Sequence, residues 1–343
     1  MMKSKPIRTL GVLSLLIFFG AYVWAGDNKI ITLNGGGATF PYPIYSKWFD
    51  EYYKLHPNLQ INYQSIGSGG GIRQMTERTV DFGATDSPMT DEQLSKVNGT
   101  ILQIPTLLGA VVLVYNLPGI KELNLTGEAI ADIFMGHIKK WNDPAIAKIN
   151  PGIRLPSESI LVVHRADGSG TTFCFVDYLS KISPNWENNV GRGTAVRWPT
   201  GLGGKGNEGV TGLVGQMPNS IGYVEMIYAN RNHIPYATVR NQSGKFIKAS
   251  VEAVTAAAAS ASKAMPQDYR VSITNALGEQ VYPISTFTWL LIYQKNAGNK
   301  GAILKGFLKW MLTEGQKMAP KLGYAPLPKG VADMAQKTIA SIQ

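Results

Sequence analysis

Three glycine-rich stretches carry the residue types needed to hold an anion. They are Gly35-Gly36-Gly37-Ala38-Thr39-Phe40-Pro41, Gly67-Ser68-Gly69-Gly70-Gly71 and Arg165-Ala166-Asp167-Gly168-Ser169-Gly170-Thr171-Thr172. Each follows an apolar or β-branched run that reads as a strand. Glycine lets the backbone fold tightly and turn several N–H groups inward. A helix that starts at such a turn adds unpaired N–H donors and a partial positive charge. Thr39, Ser68, Ser169 and Thr171 place hydroxyl donors in the same stretches. One strand–turn–helix of this kind marks only a tight turn. Three of them, each with a hydroxyl, point to an uncharged cradle for an oxyanion.

The charged residues beside these turns are few. Arg165 opens the third turn and Asp167 sits two residues on, close enough to pair with it and fix its orientation. One guanidinium can bind two oxygens of a tetrahedral anion. Asp86 follows the strand over 81–85. A carboxylate at an anion site makes sense where the ligand still carries a proton for it to accept. Phosphate carries one at neutral pH and sulfate does not, so Asp86 would admit the first and repel the second. The alternative is that Asp86 caps the turn Thr85-Asp86-Ser87-Pro88.

Other chemistries fail on spacing. The nucleotide P-loop needs glycine, four residues, then Gly-Lys-Ser/Thr. Gly204-Lys205-Gly206 lacks the hydroxyl, and position 199 is Pro. Gly201-Leu202-Gly203-Gly204-Lys205-Gly206 has the dinucleotide spacing, but Arg197-Trp198-Pro199 is a poor strand and Lys205-Gly206-Asn207 a poor helix start. That run reads as a loop. His56, His137, His164 and His233 are dispersed, without metal-ligand spacing. Only His164 lies beside one of the turns, and as the neighbour of Arg165 on one strand it should face the other way. No nucleophile–base pair is visible, so the expectation is binding without catalysis, no metal and no cofactor.

The elements that must position these turns alternate in type. Strands are expected over 30–34, 60–65, 81–85, 101–105, 111–116, 160–165 and 286–293, and helices over 43–54, 91–97, 128–135, 144–148, 171–180, 209–217, 251–261, 302–313 and 331–342. Such alternation argues for α/β lobes with mainly parallel sheets. A chain of 343 residues exceeds the usual ceiling for one hydrophobic core, so two lobes are expected. No flexible linker divides them, which implies that the chain crosses between lobes more than once. Residues 110–116 and 285–293 are candidate crossing strands.

Residues 1–25 read as a secretory signal peptide. Lys3, Lys5 and Arg8 precede the apolar run 10–24, and Ala25 offers a small residue for cleavage. The run is shorter than the roughly 20 residues a membrane-spanning helix needs. Export would place the mature protein in an oxidising compartment outside the cytoplasm. The formal charge of +10 becomes +7 once those three cations are removed. Scattered basic residues suit an anionic ligand but not nucleic acid. Cys174 is the lone cysteine, so no intrachain disulfide can form, and a buried apolar role is expected for it.

At these turns the chain closely resembles the phosphate-binding component of the bacterial high-affinity phosphate ABC transporter. The likeness rests on Gly37-Ala38-Thr39-Phe40-Pro41, Tyr63-Gln64-Ser65-Ile66-Gly67-Ser68, Val80-Asp81-Phe82-Gly83-Ala84-Thr85-Asp86, the block Arg165 to Thr171, Gly201 to Gly206, and Ile221-Gly222-Tyr223-Val224-Glu225. Lys139-Lys140-Trp141 and residues 146–156 match too, and the likeness covers nearly the whole mature chain. The resemblance implies a two-lobed α/β periplasmic binding protein of cluster type II, with the ligand in the interlobe cleft. Lobe I would be residues 26–110 and 286–343, and lobe II residues 111–285. The implied phosphate ligands are Ala38, Thr39, Phe40 through its N–H, Ser68, Asp86, Arg165, Ser169, Gly170 and Thr171, with Asp167 holding Arg165. The implied partners are inorganic phosphate and the transmembrane permease subunits of the transporter, with the binding protein a monomer. Gly69 stands where relatives often have a second serine, and His164 where they are often basic. The competing readings are a receptor for arsenate or sulfate, a secreted phosphatase, and a matrix or adhesion protein whose cradle is incidental.

Overall fold

The computed structural model describes residues 30–261 and 265–343. The expected signal peptide over 1–25 lies outside the described residues. The first part of the chain forms β1 (Ile31–Gly37), α1 (Tyr42–Leu55), β2 (Leu59–Ser65), α2 (Ser68–Thr76), β3 (Phe82–Thr85) and the short α3 (Asp91–Ser95). The long strand β4 (Ile101–Asn116) follows, then β5 (Asn124–Leu125), α4 (Gly127–Phe134), α5 (Pro144–Ala147), β6 (Leu161–Arg165), α6 (Gly170–Ile182) and α7 (Pro184–Asn189). Next come β7 (Leu202–Gly204), α8 (Gly206–Gln216), β8 (Ser220–Glu225), α9 (Met226–Arg231), β9 (Thr238–Arg240), β10 (Phe246–Ile247) and α10 (Val251–Ala261). The last elements are β11 (Ser285–Tyr293), α11 (Lys300–Thr313) and α12 (Lys329–Ala340).

Eight strands join in one sheet of order β2-β1-β3-β11-β4-β8-β6-β7, and β10-β9-β5 form a small second sheet. The flanks of the large sheet are parallel: β1 pairs with β2 and β3, and β6 with β7 and β8. The centre is antiparallel, because β11 and β4 run against each other and against β3 and β8. The sheet is therefore mixed rather than mainly parallel. The expected strands 101–105 and 111–116 are one strand of 16 residues, roughly 50 Å long at about 3.3 Å per residue. Pro105 sits where the β4–β11 register shifts between Thr288 and Trp289, next to the unpaired Thr106. A bulge leaves one residue unpaired and so tolerates a missing N–H.

β4 carries both halves of the molecule. Residues Ile101 to Ala110 pair with β11, and Val111 to Asn116 with β8. Val111, Val112, Leu113 and Val114 are fully buried, as befits a strand covered on both faces. Each such aliphatic side chain stabilises the fold by about 1.5–3 kcal/mol. On one flank α1 turns Ile44, Tyr45, Trp48, Phe49 and Tyr52 inward, with helical spacing. Phe49 packs on Phe307 of α11 at 5.5 Å, and Trp48 Nε1 donates to the Gly315 carbonyl at 2.9 Å. This anchor fixes the turn 38–41 that leads into α1.

The glycine runs differ from the expected turns in two places. Gly35, Gly36 and Gly37 are the last residues of β1 rather than a loop. Gly37 has φ +141, and a β-carbon there would lie 2.1 Å from the Ala84 carbonyl oxygen, so only glycine allows β1 and β3 to pair this closely. The run 201–206 is not a loop: Leu202–Gly204 adds to β6 as β7, and α8 begins at Gly206.

Candidate functional site

The carboxyl ends of β1, β2 and β3 on one flank meet those of β6 and β7 on the other. Ligands of open α/β sheets bind at such ends. Thr39, Ser68, Asp86, Arg165, Ser169 and Thr171 all lie there, each no more than 3% exposed. Cross-cleft contacts hold the halves together. Gly69 N–H donates to the Gly168 carbonyl at 2.8 Å. Tyr228 O–H donates to the Thr39 carbonyl at 2.5 Å. Asn207 Nδ2 donates to Thr39 Oγ1 at 2.7 Å.

Arg165 ends β6 and is clamped from one side. Its Nε donates to Asp167 Oδ1 at 2.8 Å and its Nη2 to Asp167 Oδ2 at 2.6 Å. The third nitrogen, Nη1, is buried with no partner in the protein. A buried guanidinium N–H without an acceptor carries a heavy desolvation cost unless a ligand supplies one. Asp167 also accepts from Gly206 N–H at 3.0 Å. Burial pushes its carboxyl up, but the hydrogen bonds and charge of Arg165 outweigh this and hold it below the usual range.

Asp86 follows β3. Its Oδ1 accepts from Thr288 Oγ1 at 2.8 Å, and its N–H donates to Ser68 Oγ at 3.1 Å. Burial pushes its carboxyl up from 3.8 to about 7, against the opposing pull of Thr288, Arg165 and Ser68. The group thus sits near the point where it can either accept or donate a proton around neutral pH. It caps no helix.

The hydroxyls are arranged as donors. Ser169 is the N-cap of α6 and its Oγ accepts from Thr172 N–H at 3.0 Å, which leaves its hydrogen free. Gly170 and Thr171 are the first two residues of α6, whose opening N–H groups have no intrahelical acceptor. Ser68 opens α2, so the second glycine run is itself a helical turn. Gly69, Gly70 and Gly71 concealed it, because glycine is about 0.8–1.0 kcal/mol worse than alanine in a helix. Phe40 is fully buried against Tyr324, and its carbonyl accepts from the Tyr324 hydroxyl at 2.7 Å.

Ala38 is the exception among the expected ligands. Its N–H donates to the Ala84 carbonyl at 2.9 Å and its own carbonyl accepts from Tyr63 O–H at 2.7 Å. It borders the cradle with no hydrogen left to offer. Asn207, Thr288 and Tyr228 join the site although the sequence did not single them out. Asn207 directly follows the run 201–206, so recognising that run as strand and helix start would have exposed it.

His164 lies against Trp198, ring centroids 4.8 Å apart. Cys174 is buried, its Sγ 3.9 Å from the Ser285 carbonyl, and burial pushes its thiol well up. Among the described residues no three His, Cys, Asp or Glu side chains come together as a metal site, and no helix is long and apolar enough to cross a membrane.

The model of a PBP superfamily domain matches residues 25–314. The chain is 47% identical over 333 residues to the phosphate-binding protein PstS of Haemophilus influenzae, covering 96% of this chain and 95% of that one. In structure it is similar to the high-affinity periplasmic phosphate-binding protein PfluDING bound with phosphate, with a TM-score of 0.73 at 21% identity, over 90% of this chain and 93% of that one. It is also similar to an ABC-type phosphate transport receptor from Vibrio cholerae, with a TM-score of 0.54 at 19% identity, over 86% of this chain and 100% of that one. These likenesses match the two-lobed α/β fold.

Proposed function

Because the chain belongs to the PBP superfamily and, within it, to the PstS family of phosphate-binding proteins, we propose that it binds inorganic phosphate in the periplasm for an ABC transporter. The observation that carries this is Arg165 Nη1, buried without a protein partner in a cradle of hydroxyl and N–H donors. In this reading the anion takes hydrogen bonds from Thr39, Ser68, Ser169 and Thr171 hydroxyls, from the N–H groups of Phe40, Gly170 and Thr171, and from Arg165. Asp86 accepts the proton that phosphate retains. Asp167 keeps Arg165 in place. No cofactor takes part, and the protein releases the anion unchanged.

The finer parts of the proposal have their own support. A signal peptide over 1–25 accounts for export. Lobe I over 26–110 and 286–343 and lobe II over 111–285 follow the exchange of partners along β4, from β11 before residue 111 to β8 after it. The closed protein, a monomer, would hand phosphate to transmembrane permease subunits.

Calorimetric titration of the mature, phosphate-stripped protein tests the function. One-to-one binding of phosphate, with no heat from sulfate near pH 8, is expected. Absence of phosphate binding would remove the proposal.

The raised carboxyl of Asp86 adds a pH dependence. A folded-state value of about 7 means that the empty site holds a carboxylic acid below that pH and a carboxylate above it. A carboxylate can only accept, and so it repels sulfate. The neutral acid can donate to it. Sulfate affinity should therefore emerge as pH falls from about 8 to about 5. Asp86→Asn, which cannot titrate, should bind sulfate across that whole range while losing less phosphate affinity than it gains for sulfate. Sulfate rejection that is unchanged in Asp86→Asn would refute the role of Asp86 as proton reader.

A further inference from the structure

Resting on the phosphate reading, we infer that Asn207 is a positioning residue that restricts the hydroxyl of Thr39, and biases that of Thr171, to donating toward the anion. Asn207 is fully buried in the first turn of α8. Its Oδ1 accepts from the N–H of Glu225 at 2.9 Å. Its Nδ2 donates to Thr39 Oγ1 at 2.7 Å and to Thr171 Oγ1 at 3.2 Å, and its backbone N–H donates to Thr39 Oγ1 at 3.2 Å.

The orientation of this amide is determined by its neighbours. A backbone N–H can only donate, so the amide atom facing Glu225 must be the oxygen, and the nitrogen must face the two threonines. A threonine hydroxyl has one hydrogen and two lone pairs. Both lone pairs of Thr39 are taken by the two Asn207 N–H groups. The only thing Thr39 can then offer a ligand is its hydrogen. Thr171 has one lone pair taken in the same way.

The consequence is chemical selection. Left free, a hydroxyl accepts as readily as it donates and would tolerate the protonated oxygen of the ligand. With Thr39 restricted to donating, the ligand's proton has its acceptor at Asp86, and the anion is oriented. Thr39 follows β1, whereas Asn207 and Thr171 belong to the other flank, so the same amide also rewards closure of the cleft. Sequence spacing hides this, since Thr39 and Asn207 are 168 positions apart.

The test compares phosphate affinity by calorimetry in the unsubstituted protein, Asn207→Asp, Asn207→Ala, Thr39→Val and the Asn207→Ala/Thr39→Val pair, with melting temperatures taken without phosphate. Asn207→Asp preserves shape but, once ionised, only accepts, turning both hydroxyls away from the ligand. It should lose about 100-fold or more near pH 8. The loss relative to the unsubstituted protein should shrink toward about pH 5, where a neutral acid can donate again. Asp86, Arg165, Glu208 and Glu225 surround the site in both proteins, so the ratio isolates position 207. When Asn207→Ala is added to Thr39→Val, the further loss should be only the smaller share that acts through Thr171, so the two losses are less than additive. Additive losses, a pH-independent ratio, or variants within about threefold of the unsubstituted protein would overturn the inference. If the unsubstituted protein binds no phosphate, the functional reading itself fails, which is a separate result.

Discussion

Arg165→Ala is expected to bind phosphate at least about 30-fold more weakly than the unsubstituted protein, since truncating one partner of a buried, hydrogen-bonded charge pair between binding partners costs about 2–5 kcal/mol. Three effects combine. The anion loses the guanidinium nitrogen that has no other acceptor. Asp167 loses both of its bonds to Arg165 and becomes a buried carboxylate that repels the ligand. Asp86 loses the nearby positive charge that moderates its own burial. Arg165→Lys should recover little, because an ammonium cannot grip Asp167 with two parallel bonds and reach the ligand as well. Calorimetry on both variants measures this. Affinity within a few fold of the unsubstituted protein would show that Arg165 serves the fold rather than the ligand.

Gly170→Ala should lower phosphate affinity by about 10- to 100-fold while leaving the unliganded fold as stable or more so, given that overpacking costs about 1–3 kcal/mol. A β-carbon at Gly170 would lie 2.5 Å from Ser68 Oγ, 2.6 Å from Asp86 Cβ and 2.7 Å from Asp86 N. The last two belong to the backbone and its first carbon, which cannot swing aside. Ser68 and Asp86 lie on the opposite flank from α6, so the clash is relieved by parting the two halves. Within α6 itself alanine is a better helix former than glycine. Small-angle scattering should show less compaction on adding phosphate, with an unchanged or raised melting temperature. Tight binding with normal compaction would mean that the halves close without this contact.

The parts of this structure that were legible in the sequence are those set by local chemistry. Amphipathic spacing located α1, α4, α6 and α12 to within a few residues. The three glycine and hydroxyl stretches marked where the strands end, and Arg165 with Asp167 two residues on announced a bidentate pair that the structure forms. Long-range pairing was not legible. Residues 101–105 and 111–116 read as two strands because the pairing that joins them, across a bulge that leaves Thr106 of β4 unpaired, is made with β11 far along the chain. Ser68 did not look like a helix start, because α2 is stabilised by packing of Ile72 and Met75 rather than by propensity. Leu202 and Gly203 looked like a loop, because β7 forms only against β6. Ala38 was carried into the ligand set by its neighbours, and only the bond to Ala84 shows its N–H already engaged.

β11 is the last of the described strands, yet it lies between β3 and β4 in the middle of the sheet. Every one of its nine residues is buried. Until it arrives, β3 and β4 each present an unpaired edge, and the two flanks have nothing to join them on one side. A chain that emerges N-terminus first therefore cannot complete its sheet before residue 293 is free, however early its first helices form. Contacts this distant in sequence also slow folding. The architecture thus keeps the sheet open until nearly all of the chain is free, and makes its final locking a late event.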